Sequence, residues 1–121
     1  EMSRIMLAIK KVLAEADNVP VLIFDEIDTG ISGKAGKSLA EKMKSISRNH
    51  QVLCISHLAT ITANADYNFF ISKKVENGRT STSIKQLNEQ EVLQEIARIS
   101  SGEVNEITLK YASELRNKKV S

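Results

Sequence analysis

A single cysteine, Cys54, leaves no partner for an internal disulfide in 121 residues, which fits a reducing compartment. No apolar run approaches the ~20 residues that span a bilayer. Nor does a basic-then-apolar segment open the chain, so we expect a cytoplasmic protein with no membrane association. Charge of one sign is also lacking. The formal net charge of +2 is too small to argue for nucleic-acid binding by itself. There is no internal repeat, no low-complexity tract and no starting methionine. The chain opens at Glu1 directly into an amphipathic pattern, which reads as a boundary inside a larger protein. What remains is ordinary for a soluble domain. With 41% hydrophobic and 26% charged residues, neither disorder nor a membrane class is suggested, and one globular unit over 1–121 is expected.

Met2, Ile5, Met6, Ile9, Val12, Leu13 and Ala16 recur at three- and four-residue spacing, so they predict a helix burying that stripe. Asp17-Asn18 ends it and Pro20 forbids continuation. The run Val19 to Phe24 is apolar throughout and stops at Asp25-Glu26. Without alternation, it predicts a strand buried on both faces, as in a parallel sheet under helices. Asp28 to Gly33 is loop by composition. A helix from about Lys34 to Arg48 follows, with Ala35, Leu39, Met43 and Ile46 on one face. Gln51 to Ile55 is a second short strand ending in Ser56-His57, and Cys54 within it reads as a small core hydrophobe. Strand, helix, strand makes a parallel βαβ unit with a right-handed crossover. Beyond it we expect a short helix over Leu58 to Ala65. A hairpin of Tyr67 to Lys73 with Thr80 to Leu87 should turn at Glu76 to Arg79. Asn88 and Glu91 form a capping-box start for a helix through Ile99. A last helix, from about Val104 to Asn117, is expected to bury Ile107, Tyr111 and Leu115.

The chemistry follows from the topology. Parallel strands deliver Asp25-Glu26 and Ser56-His57 to the same sheet edge, the carboxyl edge where open α/β sheets bind ligands. An Asp-Glu pair after four apolar residues is the Walker B arrangement of P-loop ATPases. Magnesium is a hard cation that keeps most of its waters and takes one or two carboxylates plus phosphate oxygens. Asp25, at the strand's end, suits that ion. Glu26 is placed to orient an attacking water or accept its proton. His57 would contact the γ-phosphate of ATP. Two bland readings compete. Apolar strands end in Asp-Glu by chance in many α/β proteins, and a lone histidine after a strand is commonly a helix cap or surface residue. Both features at matching strand ends favour a nucleotide site.

Val21 to Ser32 reads VLIFDEIDTGIS, and Val52 to Ile61 reads VLCISHLATI. With Glu1 to Ala8, these stretches resemble the RecN family of DNA repair proteins, bacterial relatives of the chromosome-structural-maintenance (SMC) ATPases. The resemblance runs through the whole chain in order and is weakest in the final helix. It implies the C-terminal lobe of an ATP-binding-cassette-type head of the P-loop NTPase fold, with a parallel βαβ core followed by a hairpin and C-terminal helices. It also implies Asp25 as the Mg2+ ligand, Glu26 as the catalytic glutamate and His57 as the switch histidine. Asp28, Thr29, Gly30 and Ser32 would lie in the D-loop, facing a second head across sandwiched ATP. Glu1, Ser3 and Arg4 would be the tail of the signature motif, which contacts nucleotide held by the opposite head. Partners implied are the N-terminal lobe of the same head, a second head, and DNA at double-strand breaks.

Departures bear on this. Ser32 stands where the wider cassette family usually places aspartate, although it fits the RecN branch. The glycines of the signature motif are absent, as is the coiled coil between the halves of the head. No GxxxxGK(S/T) phosphate loop occurs. Gly36-Lys37-Ser38 lacks the first glycine and falls inside a helix, so it reads as a wet helix face. Without a phosphate cradle the isolated chain is expected not to hydrolyse ATP. A transporter ATPase or another coiled-coil ATPase is the competing enzyme reading, and a non-catalytic scaffold the competing binding reading. Ile27-Asp28-Thr29, replacing the proline-threonine-serine stretch common in transporters, argues against the first. Lys110, Arg116, Lys118 and Lys119 make the C-terminal end mildly basic without any recognition motif.

Overall fold

The computed structural model describes residues 2–119, and among these the side chains at 2–4, 14 and 17 lie outside the description. In chain order the elements are α1 (Met2–Asp17), β1 (Val21–Asp25), α2 (Lys34–Ser47), β2 (Gln51–Ile55) and α3 (Ala59–Asn64). They are followed by β3 (Phe69–Glu76), β4 (Arg79–Gln86), α4 (Glu89–Ser101) and α5 (Glu106–Asn117). β1 and β2 pair in parallel, from Val21 opposite Gln51 to Asp25 opposite Ile55.

Two apolar clusters hold these elements together. The first joins Leu7 of α1, Phe24, Ile27, and Leu39, Ala40, Met43 and Ile46 of α2 to Ile61 of α3. The second joins Ala63 of α3 to Val92, Ile96 and Ala97 of α4 and Ala112 of α5. Short as it is, α3 therefore sits in both, and its position ties the βαβ unit to the C-terminal helices. Gly36 lets α2 approach this region closely, since a Cβ there would sit 3.4 Å from Leu58 Cδ1. That is its use here, a packing contact inside a helix, and it forms no phosphate loop.

Three expectations are corrected. The β1–β2 sheet is covered on one face only. Leu22, Phe24, Val52 and Cys54 belong to the core, whereas Val21, Ile23, Leu53 and Ile55 remain 40–57% exposed. α2 shields one side, and no element among the described residues shields the other. α1 buries Leu7, while Ile5, Met6, Ile9, Val12 and Leu13 of the expected stripe stay exposed. The helix is held instead by Leu7 and by Lys10, whose Nζ donates to Ile23 O at 2.8 Å and lies over the Phe24 ring. α5 leaves Ile107 and Tyr111 exposed and packs through Ala112, Leu109 and Leu115. Its start is set by Asn105, whose side chain accepts from Thr108 N while Thr108 Oγ1 accepts from Asn105 N, so the helix begins at Glu106.

Other local signals act as their chemistry dictates. Asn88 and Glu91 form the reciprocal capping box of α4, which stops at Gly102 in the left-handed region. Asn77 and Gly78 both have positive φ, the mirror-image turn that matches strand twist in a two-residue hairpin. The strands around it pair from Phe69–Gln86 to Glu76–Arg79.

Candidate functional site

Parallel register builds the site. Asp25 pairs with Ile55 as the last rung, and Glu26 N donates to Ile55 O at 3.0 Å, extending the ladder by one bond. Asp25-Glu26 and Ser56-His57 therefore leave the sheet at one edge. Glu26 adopts φ 52, a left-handed conformation that costs a non-glycine residue about 1 kcal/mol or more and is common at functional sites. It breaks the strand's alternation, so the neighbouring carboxylates of Asp25 and Glu26 are freed from pointing to opposite faces. Both are exposed. Thr29 pins this turn: its N and Oγ1 both donate to Glu26 O, at 3.3 and 2.9 Å.

Asp28 behaves differently from its loop neighbours. It is 0% exposed, and its Oδ2 accepts from Ser56 Oγ at 2.7 Å and from His57 N at 3.0 Å. His57 Nδ1 lies 3.4 Å from the same oxygen. Ser56 Oγ in turn accepts from Leu58 N at 3.1 Å. The loop after β1 is thereby fastened to the loop after β2. Thr29, Gly30 and Ser32 are exposed on the same loop, which Gly33 (φ 54) closes into α2. Glu1 lies outside the described residues, as do the side chains of Ser3 and Arg4. Cys54, beneath this edge, has its thiol pushed up to about 12 by burial and then by the charges of Asp28 and Asp25. It stays a neutral thiol.

The burial of Asp28 was not legible, because an aspartate among threonine and glycine reads as a solvated turn residue. Its link to Ser56 is long-range and leaves no local pattern. A groove of about 400 Å³ between α1 and α2, lined by Leu7, Lys11, Glu41 and Ile46 among others, contains none of the edge residues. The candidate site is thus an open edge. The basic C-terminal end is also engaged. Arg116 and Lys119 are bound to Glu89, Asp66 and the carbonyls of Ala63 and Ala65.

Over 95% of its length the chain is 45% identical to the DNA repair protein RecN of Bacillus subtilis and 47% identical to that of Halalkalibacterium halodurans. The RecN of Deinococcus radiodurans is 42% identical over the same share. The chain belongs to the RecN family. It spans about one fifth of the length of these RecN relatives. No family model matches it. A solved structure from work on ATP-driven dimerization and DNA-stimulated activation of SMC ATPases superposes with a TM-score of 0.59. That match covers 76% of this RecN segment and 55% of the other chain, at 21% identity. The RecN segment therefore shares its fold with an SMC ATPase. Among the described residues no helix is long and apolar enough to cross a membrane.

Proposed function

We propose that this segment is the C-terminal lobe of the ATP-hydrolysing head of a RecN-type protein acting in DNA double-strand break repair. The observation that carries the proposal is the Asp25–Ile55 rung, which brings a carboxylate pair and a histidine to one edge in a RecN-like sequence. Glu26 is the group for the attacking water, exposed and held in an unusual backbone conformation. His57 is the contact to the transferring phosphoryl group. Thr29, Gly30 and Ser32 lie on the exposed loop that would meet a second head. Glu1, Ser3 and Arg4 take the signature-tail role by resemblance alone.

The residues present fit magnesium. Among the described residues no three acidic, histidine or cysteine side chains gather, as an all-protein metal cage would require. One exposed carboxylate at a strand end suits an ion that otherwise takes waters and phosphate oxygens. Asp25 would hold it. When bound, the ion would supply charge neutralisation for the phosphates of ATP.

The open face of Val21, Ile23, Leu53 and Ile55 supports an N-terminal lobe as the immediate partner, because strands apolar on both sides are made to be covered on both. A second head and DNA are further partners on this reading, in the bacterial cytoplasm at the nucleoid. The chain has no GxxxxGK(S/T) cradle, so by itself it binds ATP weakly and turns over none. The test exchanges this segment for the matching fifth of the Bacillus subtilis relative and measures ATP hydrolysis. Turnover should survive the exchange and fall at least 100-fold in Glu26→Gln, the scale on which a general base contributes, about 10²–10⁴. Unchanged turnover in Glu26→Gln would return the site to a scaffold role.

A further inference from the structure

Asp28 is the one fully buried charged side chain among the described residues, and a packing role accounts for it poorly. Its Oδ1 is buried without a protein donor. A buried carboxylate oxygen left unpaired is destabilising, so a neutral polar residue would serve a merely structural turn better. All the donors that Asp28 does receive come from the two residues that follow β2. Ser56 Oγ and His57 N bind Oδ2, and the imidazole Nδ1 stands 3.4 Å from the same atom. The histidine side chain is otherwise 69% exposed.

We propose that Asp28 is a positioning residue for His57: its buried carboxylate fastens the Ser56–His57 turn and keeps the imidazole proton on Nδ1. The chemistry is direct. A carboxylate can only accept, so the ring nitrogen facing it is the one that carries hydrogen. The neutral ring then has its free lone pair on Nε2. Its second proton goes to that nitrogen, making it a donor toward an anionic group while Asp28 balances the ring's charge. The catalytic consequence rests on the nucleotide-site reading above; the position of the proton does not.

The chain contains its own control. It has two histidines, and the other, His50, places Nδ1 2.5 Å from Val19 O. A carbonyl also only accepts, so His50 must carry its proton on Nδ1 as well. Long-range nitrogen–proton correlation spectra of the 121-residue chain, taken at alkaline pH, report the tautomer of each neutral ring. Both rings should show the Nδ1-protonated pattern. Asp28→Asn, which keeps the shape and removes the charge, should move most of the His57 population to the Nε2-protonated form and leave His50 unchanged. Ser56→Ala should leave His57 on Nδ1.

A wild-type His57 protonated on Nε2 would overturn the proposal outright, even if Asp28→Asn failed to fold. Equal shifts in Asp28→Asn and Ser56→Ala would also overturn it, reducing the effect to a loosened loop. These spectra stand apart from ATP turnover. The expected tautomer without turnover in the exchanged full-length protein would sink the ATPase reading alone. Turnover with His57 protonated on Nε2 would sink this one alone.

Discussion

Arg116 offers the sharpest test of how the site's foundation is held. Its side chain is 11% exposed, and its Nη1 donates to Ala63 O and Ala65 O, each at 2.7 Å. Those carbonyls end α3, which starts two residues after His57. The other edge of the guanidinium meets Glu89 at 2.9 and 3.4 Å. The two halves of this contact have different worth. Glu89 is 72% exposed, and surface pairs contribute about 0–1 kcal/mol. Hydrogen bonds from a charged donor to buried acceptors contribute about 1.5–3 kcal/mol. Ala63 is 0% exposed, so its carbonyl has poor access to replacement water. Ala65 is better placed, since Lys119 Nζ also reaches its oxygen at 3.3 Å. Allowing for that rescue, Arg116→Ala should destabilise the chain by about 2–4 kcal/mol, against about 0–1 kcal/mol for Glu89→Ala. Urea unfolding followed by circular dichroism measures both, and an unchanged slope assigns the midpoint shift to stability. Hydrogen exchange at Ile61 to Ala65 should accelerate in Arg116→Ala and not in Glu89→Ala. Equal, small losses in the two variants would refute the reasoning, leaving Arg116 a surface ion pair and α3 anchored by its apolar contacts alone.

The remaining predictions use the titrating groups. Cys54, with its thiol raised to about 12, should resist iodoacetamide near pH 8 in the folded chain and react readily in urea; fast labelling of the native chain would show an open or charged environment instead. Asp66 is held below the usual carboxylate range by hydrogen bonds from Lys44 and Lys119, and Glu89 by the hydrogen bond from Arg116. A depressed folded value contributes stability above the unfolded value, near 4, and that stability is lost as pH falls through the folded one. Acid unfolding should therefore set in below about pH 4, and Asp66→Asn should flatten the slope there while leaving the curve above pH 6 parallel to wild type.

Much of this fold was legible because its signals are local. Asn88 with Glu91 makes a capping box within four residues, and Asn77-Gly78 supplies two positive φ angles within two. The common edge for Asp25, Glu26 and His57 followed from parallel pairing, itself a consequence of strand–helix–strand order. The burial of Asp28 was not legible because it depends on Ser56, 28 residues away. α5 was misread for a different reason. Ile107 and Tyr111 are its bulkiest apolar groups, yet the side of α5 that meets the α3–α4 cluster carries fully buried Ala112, flanked by Leu109 and Leu115. Small residues set the contact line, and periodicity counts carry no information about closeness.

The apolar patterns that misled the reading of β1 and α1 are the same ones that bear on function. A stripe such as Ile5, Ile9 and Val12, or a strand such as Val21 to Phe24, states how much surface is to leave water and not which neighbour removes it. Here four sheet residues and five helix residues keep 40–64% exposure, while the inward faces of β1 and α2 close tightly around Phe24 and Leu39. One face of the sheet and one helix thus leave apolar surface uncovered, as do the hairpin and α5. The mismatch does not extend to the edge, where Asp28, Ser56 and His57 are already joined. The carboxylate–histidine geometry is consequently an internal property of the βαβ unit, and on the proposed reading a further lobe would add cover and a phosphate cradle. On that division, substitutions on the open face, such as Ile23→Ser, should leave the His57 tautomer unchanged while weakening assembly in the exchanged full-length protein. A tautomer shift in Ile23→Ser would mean that the edge and the open face are one coupled unit.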